Sequence, residues 1–159
     1  MTTIRTLLPG ATACMFLLLT TALGTGGCAP TLNQTYQRLD RIPEGKAVVY
    51  LYRTHYNPFM GDALTVDVTA NGVPIHSIYN STYYPYIADP GMVEFTANAF
   101  LTPKETLSVF LKPGASYYFK IVFIPGTHNR GNYLKPLLVP ETEAELDLAQ
   151  CKQLREPAP

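Results

Sequence analysis

The sequence contains no tryptophan, only three cysteines and no excess of either charge, since 12 Lys and Arg balance 12 Asp and Glu. Nucleic-acid-binding proteins carry a basic surface, so this balance predicts no nucleic-acid partner. Three cysteines are too few for a disulfide framework. The apolar run near the amino terminus, residues 15–23, has nine residues, whereas a bilayer span needs about 20. We therefore expect no transmembrane helix.

The first 27 residues have the order of a secretory signal. A lone charge, Arg5, precedes the apolar run 15–23, and the small residues 24–27 lead to Cys28. This order predicts export and cleavage of residues 1–27. The mature chain then has 132 residues, with 11 basic and 12 acidic side chains and a net charge of −1. A chain of that length supports one domain with a real core.

Thr25-Gly26-Gly27-Cys28 resembles the lipobox of bacterial lipoproteins, although Thr25 stands where Leu is usual. The resemblance implies that Cys28 is acylated and anchors the protein to a membrane. Ala29 rather than Asp follows, which in Gram-negative lipoproteins implies the outer membrane, with the domain facing the periplasm. The alternative is ordinary cleavage, which leaves Cys28 as a plain thiol that could pair with Cys151 in an oxidising compartment.

Residues 28–44 are predicted to be the lipidated cysteine and a tether. Fully extended, this segment would reach roughly 50 Å. Leu32, Tyr36 and Leu39 are spaced at i, i+4 and i+7, which allows a short amphipathic helix that Pro43 would end.

From Lys46 onward, the pattern is one of strands and turns. The first run, residues 47–52, is apolar on both faces and predicts a central strand. Asn71-Gly72 predicts a tight hairpin. The predicted strands are 47–52, 64–70, 73–78, 82–87, 93–97, 107–112, 117–123 and 134–139. Their spacing predicts an all-β domain over residues 45–140, a single β-sandwich, immunoglobulin-like or transthyretin-like, with about 7–8 strands.

Residues 141–159 are predicted to form a short helix and a tail. Thr142 and Glu145 have the spacing of a capping box. Ala144, Leu148 and Cys151 share one helical face, which we expect to dock on the sandwich. Cys151 is therefore expected to be a buried apolar residue rather than a reactive thiol.

The motifs of residues 45–154 resemble, in their order, a family of uncharacterised bacterial lipoproteins. These motifs are the opening Gly45–Arg53, the Asn71-Gly72 hairpin, Tyr83-Tyr84 before Pro90-Gly91, the run 114–120 and the acidic terminal helix. The resemblance implies an envelope lipoprotein with a small β domain. It supplies no catalytic residues.

We find no pattern typical of a catalytic or metal site. His55, His76 and His128 lack the short spacing of metal ligands, and His76 is expected to be structural. The mature domain has no nucleophile elbow and no phosphate-binding glycine loop. We therefore predict a protein that is not an enzyme and that needs neither a metal nor a cofactor.

Tyrosine provides the candidate binding surface. Tyr79, Tyr83, Tyr84 and Tyr86 crowd one hairpin among the chain's eleven tyrosines. Arg53 ends the first strand and leads into the loop 54–62, which contains His55 and could line a binding site, so both residues are added to the candidate surface. Tyrosine suits recognition surfaces because it joins an apolar ring to a polar tip. The structural alternative is cross-strand packing of these rings.

Together these features predict an envelope lipoprotein, attached to a membrane through Cys28, with a binding or structural role toward another envelope protein or glycan. One alternative is a module that binds small molecules or glycans, which an exposed groove lined by tyrosines would favour. A second is an envelope hydrolase, which would need two acids, or an acid and a histidine, in one cleft.

Overall fold

The computed structural model describes residues 35–55, 64–128 and 131–156, which contain nine β-strands and one short α-helix. The elements are β1 (Ala47–Arg53), β2 (Val66–Ala70), β3 (Val73–Ile78), β4 (Thr82–Ala88), β5 (Gly91–Ala99), β6 (Glu105–Leu111), β7 (Ser116–Ile124), β8 (Tyr133–Leu138), α1 (Glu141–Leu148) and β9 (Lys152–Gln153). Across these residues, no helix combines the length and the apolar character that crossing a bilayer requires.

The strands form two sheets, which confirms the predicted β-sandwich. One sheet has five strands in the order β8-β7-β1-β4-β9, and the other has four in the order β3-β2-β5-β6. Each of the eight predicted strands is present to within a few residues at its ends. The two-residue strand β9 was not predicted, because so short a run has no periodicity of its own.

Strand β1 lies at the centre of the five-stranded sheet, as predicted. It pairs with β4 on one side, antiparallel, and with β7 on the other, parallel. All seven of its residues are buried. Val49 and Leu51 face the second sheet, in the main core, whereas Val48, Tyr50 and Tyr52 face away from it. A strand that is apolar on both faces therefore has a layer of protein on each side.

The four-stranded sheet has one buried face and one bare face. In β5, Val93, Phe95 and Ala97 are buried, while Met92 and Glu94 between them are exposed. The hairpin between β2 and β3 turns at Asn71 and Gly72, with φ of 49° and 79°. Two consecutive positive φ values are the signature of the tight turn that the sequence predicts.

Helix α1 packs on the outer face of the five-stranded sheet through Ala144 and Leu148, as expected. The predicted capping box is wrong. The helix begins at Glu141, Pro140 is the N-cap, and no side chain caps the helix. Proline suits this place because it has no N–H to satisfy and fixes its own φ. Lys120 of β7 pairs with Asp147 at 2.7 Å and thereby ties the helix to the sheet.

Residues 36–42, which we call the strap, run across the same outer face beside α1. The short helix considered from Leu32 onward is not present in the described part of this region, where none of residues 35–46 is helical. Tyr36, Leu39 and Ile42 pack instead against the buried outer-face cluster. The second half of the predicted tether therefore belongs to the folded domain.

Candidate functional site

The structure separates the four tyrosines that the sequence grouped into one surface. Side chains alternate along β4, so Tyr83 faces outward while Tyr84 and Tyr86 face the main core. Tyr83 is fully buried and Tyr84 is 8% exposed. Tyr86 is half-buried against Phe95, with ring centroids 6.3 Å apart. The expectation of one exposed tyrosine patch is corrected, because alternation assigns neighbouring residues to opposite sides of the sheet.

Tyr79 also packs against the main core, half-buried beside an open depression of about 440 Å³ between β2 and β3. His76 lies in the same depression, and its ring sits 4.7 Å from the ring of Tyr84. Its Nε2 lies 2.7 Å from the carbonyl oxygen of Arg155. His76 therefore joins β3 to the carboxyl-terminal segment, which agrees with the structural role expected of it.

Arg53 and His55, the other members of the predicted surface, differ sharply in burial. Arg53 is 1% exposed, its Nη1 donates a hydrogen bond to the carbonyl of Leu64, and its Nη2 has no partner among the described residues. Burial lowers the pKa of its guanidinium. His55 is exposed, and its Nδ1 lies 3.3 Å from Nδ2 of Asn80. Most of the loop that follows, residues 56–63, lies outside the described residues.

A layer of five tyrosines lies between the five-stranded sheet and its cover. Tyr36 of the strap packs edge-on against Tyr50 at 5.6 Å and against Tyr83 at 5.5 Å, and Tyr50 stacks on Tyr118 at 5.3 Å. Tyr52 completes the layer under α1. These offset and perpendicular arrangements are the favourable ones for aromatic rings.

The hydroxyl groups of this tyrosine layer hold the cover in place. The backbone N–H of Leu39 donates to the Tyr50 hydroxyl at 2.8 Å. The Tyr52 and Tyr118 hydroxyls donate to Asp147 and Glu141 of α1, each at 3.0 Å. Burial raises the pKa of Tyr118 to about 12, and the Glu141 carboxylate adds to that rise. The layer thus stays neutral over the physiological pH range, and four of its five hydroxyls are hydrogen-bonded, which gives it a structural role. The fifth hydroxyl, that of Tyr36, is buried without a partner among the described residues.

Cys151 is 3% exposed, which confirms the expectation of a buried residue. Its Sγ donates to the carbonyl oxygen of Arg53 at 3.4 Å, and its thiol is free. Burial raises the pKa of this thiol to about 12, and Asp147 adds to the effect. A thiol that stays protonated is a poor nucleophile and metal ligand. Cys28, the predicted lipid site and alternative disulfide partner, lies outside the described residues.

Within the described ranges, no group of three or more His, Cys, Asp and Glu side chains is arranged to hold a metal ion. His128 is exposed in the turn after β7.

A groove that the sequence analysis missed lies between the strap and the carboxyl-terminal segment, at the edge of β4. We call it the edge groove. Its volume is about 350 Å³. It is lined by Leu39, Arg41, Pro43, Tyr84, Pro85, Ile87 and the four residues 153–156.

The floor of the edge groove is a strand edge that is only partly paired. Strand β9 pairs with Thr82 and Tyr83 alone, so the remainder of β4 has no described strand on that side. The Tyr83 carbonyl faces this side and accepts a hydrogen bond from the N–H of Leu154 at 2.8 Å. By alternation, the carbonyl of Pro85 and both backbone groups of Ile87 face the groove.

The rim of the edge groove carries charge of both signs. Arg41, Arg155 and Glu156 are exposed there. The Tyr84 hydroxyl donates to Oε1 of Glu156 at 3.2 Å, and burial together with this carboxylate raises the pKa of Tyr84 to about 12. Tyr84 is the one residue of the predicted surface that also lines this groove. The signal that could have located the groove is Pro85, because proline within a strand indicates a sheet edge.

No protein-family model and no curated protein matches this chain. The resemblance to a family of uncharacterised lipoproteins therefore stays a prediction.

Proposed function

We propose that this protein is a bacterial envelope lipoprotein, anchored through acylated Cys28, whose sandwich binds an extended segment of another envelope protein in the edge groove. The observation that carries the proposed binding is the unpaired part of β4 at the floor of that groove. Export and anchoring rest on the leader sequence and the lipobox-like residues 25–28.

An extended polypeptide suits the groove for two reasons. Backbone groups at an unpaired edge, here those of Pro85 and Ile87, can hydrogen-bond to an added strand. Ile87 and Leu39 supply apolar contacts for alternate side chains of such a segment. Since Pro85 offers no N–H, the pairing is short, and the apolar contacts and the rim charges must contribute to specificity.

The proposal is of a binding protein rather than an enzyme. The Tyr52 and Tyr118 hydroxyls donate to carboxylates of the helix, and the Cys151 thiol is buried and protonated. The groups lining the edge groove include two arginines and one glutamate, of which the glutamate already accepts a hydrogen bond from Tyr84. Such a set suits charge recognition more than proton transfer.

The anchor is tested by the intact mass of the protein purified from cell membranes. We expect a chain that begins at Cys28 and carries acyl chains, since stable anchoring takes more than one. A Cys28→Ala variant should lose the acyl mass and leave the membrane fraction. An unmodified amino terminus at Cys28 would refute the anchor while leaving the groove open to test.

Binding is tested by placing a photo-crosslinking residue at Arg155, on the rim of the groove, in living cells. We expect one polypeptide to be captured, and we expect Ile87→Asp to abolish the capture because it puts a charge on the apolar floor. The matched control is Val73→Asp, on the far sheet, where the side chain is 66% exposed. Equal loss with both variants, or capture that is unaffected by Ile87→Asp, would contradict binding in the edge groove.

A further inference from the structure

Two large apolar side chains are exposed to solvent at the turn between β5 and β6. Phe100 is 81% exposed and Leu101 is 75% exposed. The turn itself is well formed, because the N–H and the hydroxyl of Thr102 both donate to the carbonyl of Ala99, at 3.2 and 3.0 Å. We call these two residues the apolar tip.

The backbone of the apolar tip is strained. Leu101 has a φ of 58°, in the left-handed region that glycine or asparagine normally occupies in a turn. Leucine is disfavoured there because its Cβ crowds the following carbonyl oxygen. An exposed leucine gains nothing from the core that would offset this strain, so the residue calls for a reason outside the folded domain.

The apolar tip lies at the end of the sandwich where β1 finishes. Arg53, the last residue of β1, pairs with Thr82, the first residue of β4. Only three residues separate Thr82 from Ile78, the last residue of β3, so Ile78 lies at the same end. Ile78 pairs with Val66, and Val66 pairs with Ala99, the residue before the tip. We call this the Arg53 end.

The strap enters the domain at the same end. It begins at Tyr36, whose ring contacts Tyr83 next to Thr82, and it runs toward Lys46 at the opposite end, where β1 starts. Seven residues lie between Cys28 and Tyr36, and the eight steps from one Cα to the other can span at most about 29 Å. A lipid on Cys28 therefore keeps the Arg53 end, and with it the apolar tip, within reach of the bilayer.

We propose that Phe100 and Leu101 insert into the interface of the bilayer to which Cys28 is anchored, so that the sandwich stands with its Arg53 end on the membrane. The inference rests on the proposed lipid anchor. Two side chains alone give weak membrane binding, but a covalent anchor nearby makes the second contact effectively intramolecular. Lys104, exposed just after the tip, fits anionic lipid headgroups.

The absence of tryptophan allows a direct test, because Phe100→Trp introduces the sole tryptophan of the chain. The membrane-purified protein is reconstituted into vesicles of phosphatidylethanolamine and phosphatidylglycerol, with or without brominated acyl chains. We expect the emission of the Phe100→Trp variant to shift to shorter wavelength and to lose intensity when the lipid is brominated, as for a side chain at the headgroup–acyl boundary.

The matched control is Phe110→Trp, an exposed position that pairs with Met92 toward the opposite end of the sandwich. Its emission should stay at long wavelength and should not respond to brominated lipid. A tip tryptophan that is no more quenched than this control would overturn the insertion, and a blue shift without quenching would do so too, because it indicates a protein contact instead.

Failure of the anchor and failure of the insertion are distinguishable in the same preparation. An acylated mass and flotation with vesicles, together with an unquenched tip tryptophan, would reject the insertion alone. An unmodified Cys28 and no flotation would reject the anchor and the insertion together. As a second variant, Phe100→Ser in the acylated protein should still float, and its Arg53 end should become more accessible to added protease than in the parent protein.

Discussion

Side chains alternate between the two faces of each sheet in this sandwich, but one sheet has a buried outer face and the other an exposed one. On the five-stranded sheet, the outward residues Val48, Tyr50 and Tyr52 are buried beneath the strap and α1. On the four-stranded sheet, the outward residues Met92 and Phe110 are 65% and 60% exposed. The covered apolar surface extends over the three adjacent strands β1, β4 and β7, whereas Met92 and Phe110 form one cross-strand pair between β5 and β6. The comparison indicates that a cover forms over the broad apolar surface and not over the single pair.

The covered face also differs in how its polar atoms are used. Each tyrosine there presents a hydroxyl to the cover, and Leu39 and Asp147 each bond to one of them. On the bare face, the hydroxyls of Thr96 and Thr106 hydrogen-bond to each other across two strands, at 3.2 Å. The rings of the tyrosine layer thus fill the space between the sheet and its cover, and its hydroxyls hydrogen-bond to the strap and to α1.

The strongest test of this comparison is to truncate one aromatic residue on each face. Tyr50→Ala should lower the free energy of unfolding by about 3–5 kcal/mol, because a fully buried aromatic side chain leaves a cavity. Phe110→Ala should change it by no more than about 0.5 kcal/mol, since the side chain is mostly in water. Urea unfolding measures both, and comparable losses would mean that the bare face has a cover of its own.

Alkaline pH should lower the free energy of unfolding of the protein. The pKa values of Tyr84, Tyr118 and Cys151 are raised to about 12 in the folded state, so these groups ionise at a lower pH in the unfolded chain than in the folded protein. The unfolded state then binds fewer protons, and stability falls with pH, by up to about 1.4 kcal/mol per pH unit for each group. We expect constant stability up to about pH 8 and a decline that continues to about pH 12.

The alkaline decline is measured by urea unfolding at a series of pH values. Tyr118→Phe removes one of the contributing groups and should make the decline shallower. Val122→Ala, on the same strand but not ionisable, serves as the control and should leave the slope unchanged. A decline as steep in Tyr118→Phe as in the parent would contradict the contribution of this tyrosine.

A subtler change separates the attachment of the strap from its packing. Tyr50→Phe keeps the ring but removes the hydroxyl that accepts the N–H of Leu39, which should cost about 1 kcal/mol. Trypsin should then cleave faster after Arg38 and Arg41 in the strap. Tyr86→Phe, on the inner face, should not change that rate. Unchanged cleavage in Tyr50→Phe would show that packing alone holds the strap.

The smallest expected effect is a gain in stability. Leu101→Gly should raise the free energy of unfolding by about 0.5–1 kcal/mol, because glycine adopts the positive φ at this position without strain. Thermal or urea unfolding of the two proteins measures the difference. A loss of stability would indicate that Leu101 makes a contact that offsets its strain.

Sequence reasoning was reliable where local chemistry decides the outcome. The alternation of β5, the Asn71-Gly72 turn and the doubly apolar β1 each predicted what formed. It was less reliable at the helix start, where Pro140 rather than Thr142 lies at the N-cap. Both residues fit the start of a helix by local rules, and the position was set by the packing of Ala144 and Leu148 on the sheet.

The candidate site shows the same division. Tyr83 and Tyr84 are neighbours in the chain, yet one supports the strap and the other reaches the rim of the edge groove. Sequence proximity suggested one surface, whereas the pleat of the strand placed the two rings on opposite faces. The groove itself unites residues near position 40, position 85 and position 155, a combination that has no signature in any single stretch of sequence.

By itself, the sequence determined the succession of strands and turns, the central place of β1 and the burial of Cys151, because these follow from side-chain periodicity and backbone preference within a few residues. Only the tertiary structure decided that the strap docks, that Arg53 is buried and that the edge of β4 stays partly open. Those outcomes depend on contacts between segments that are far apart in the sequence, and such contacts are determined only when the whole domain packs.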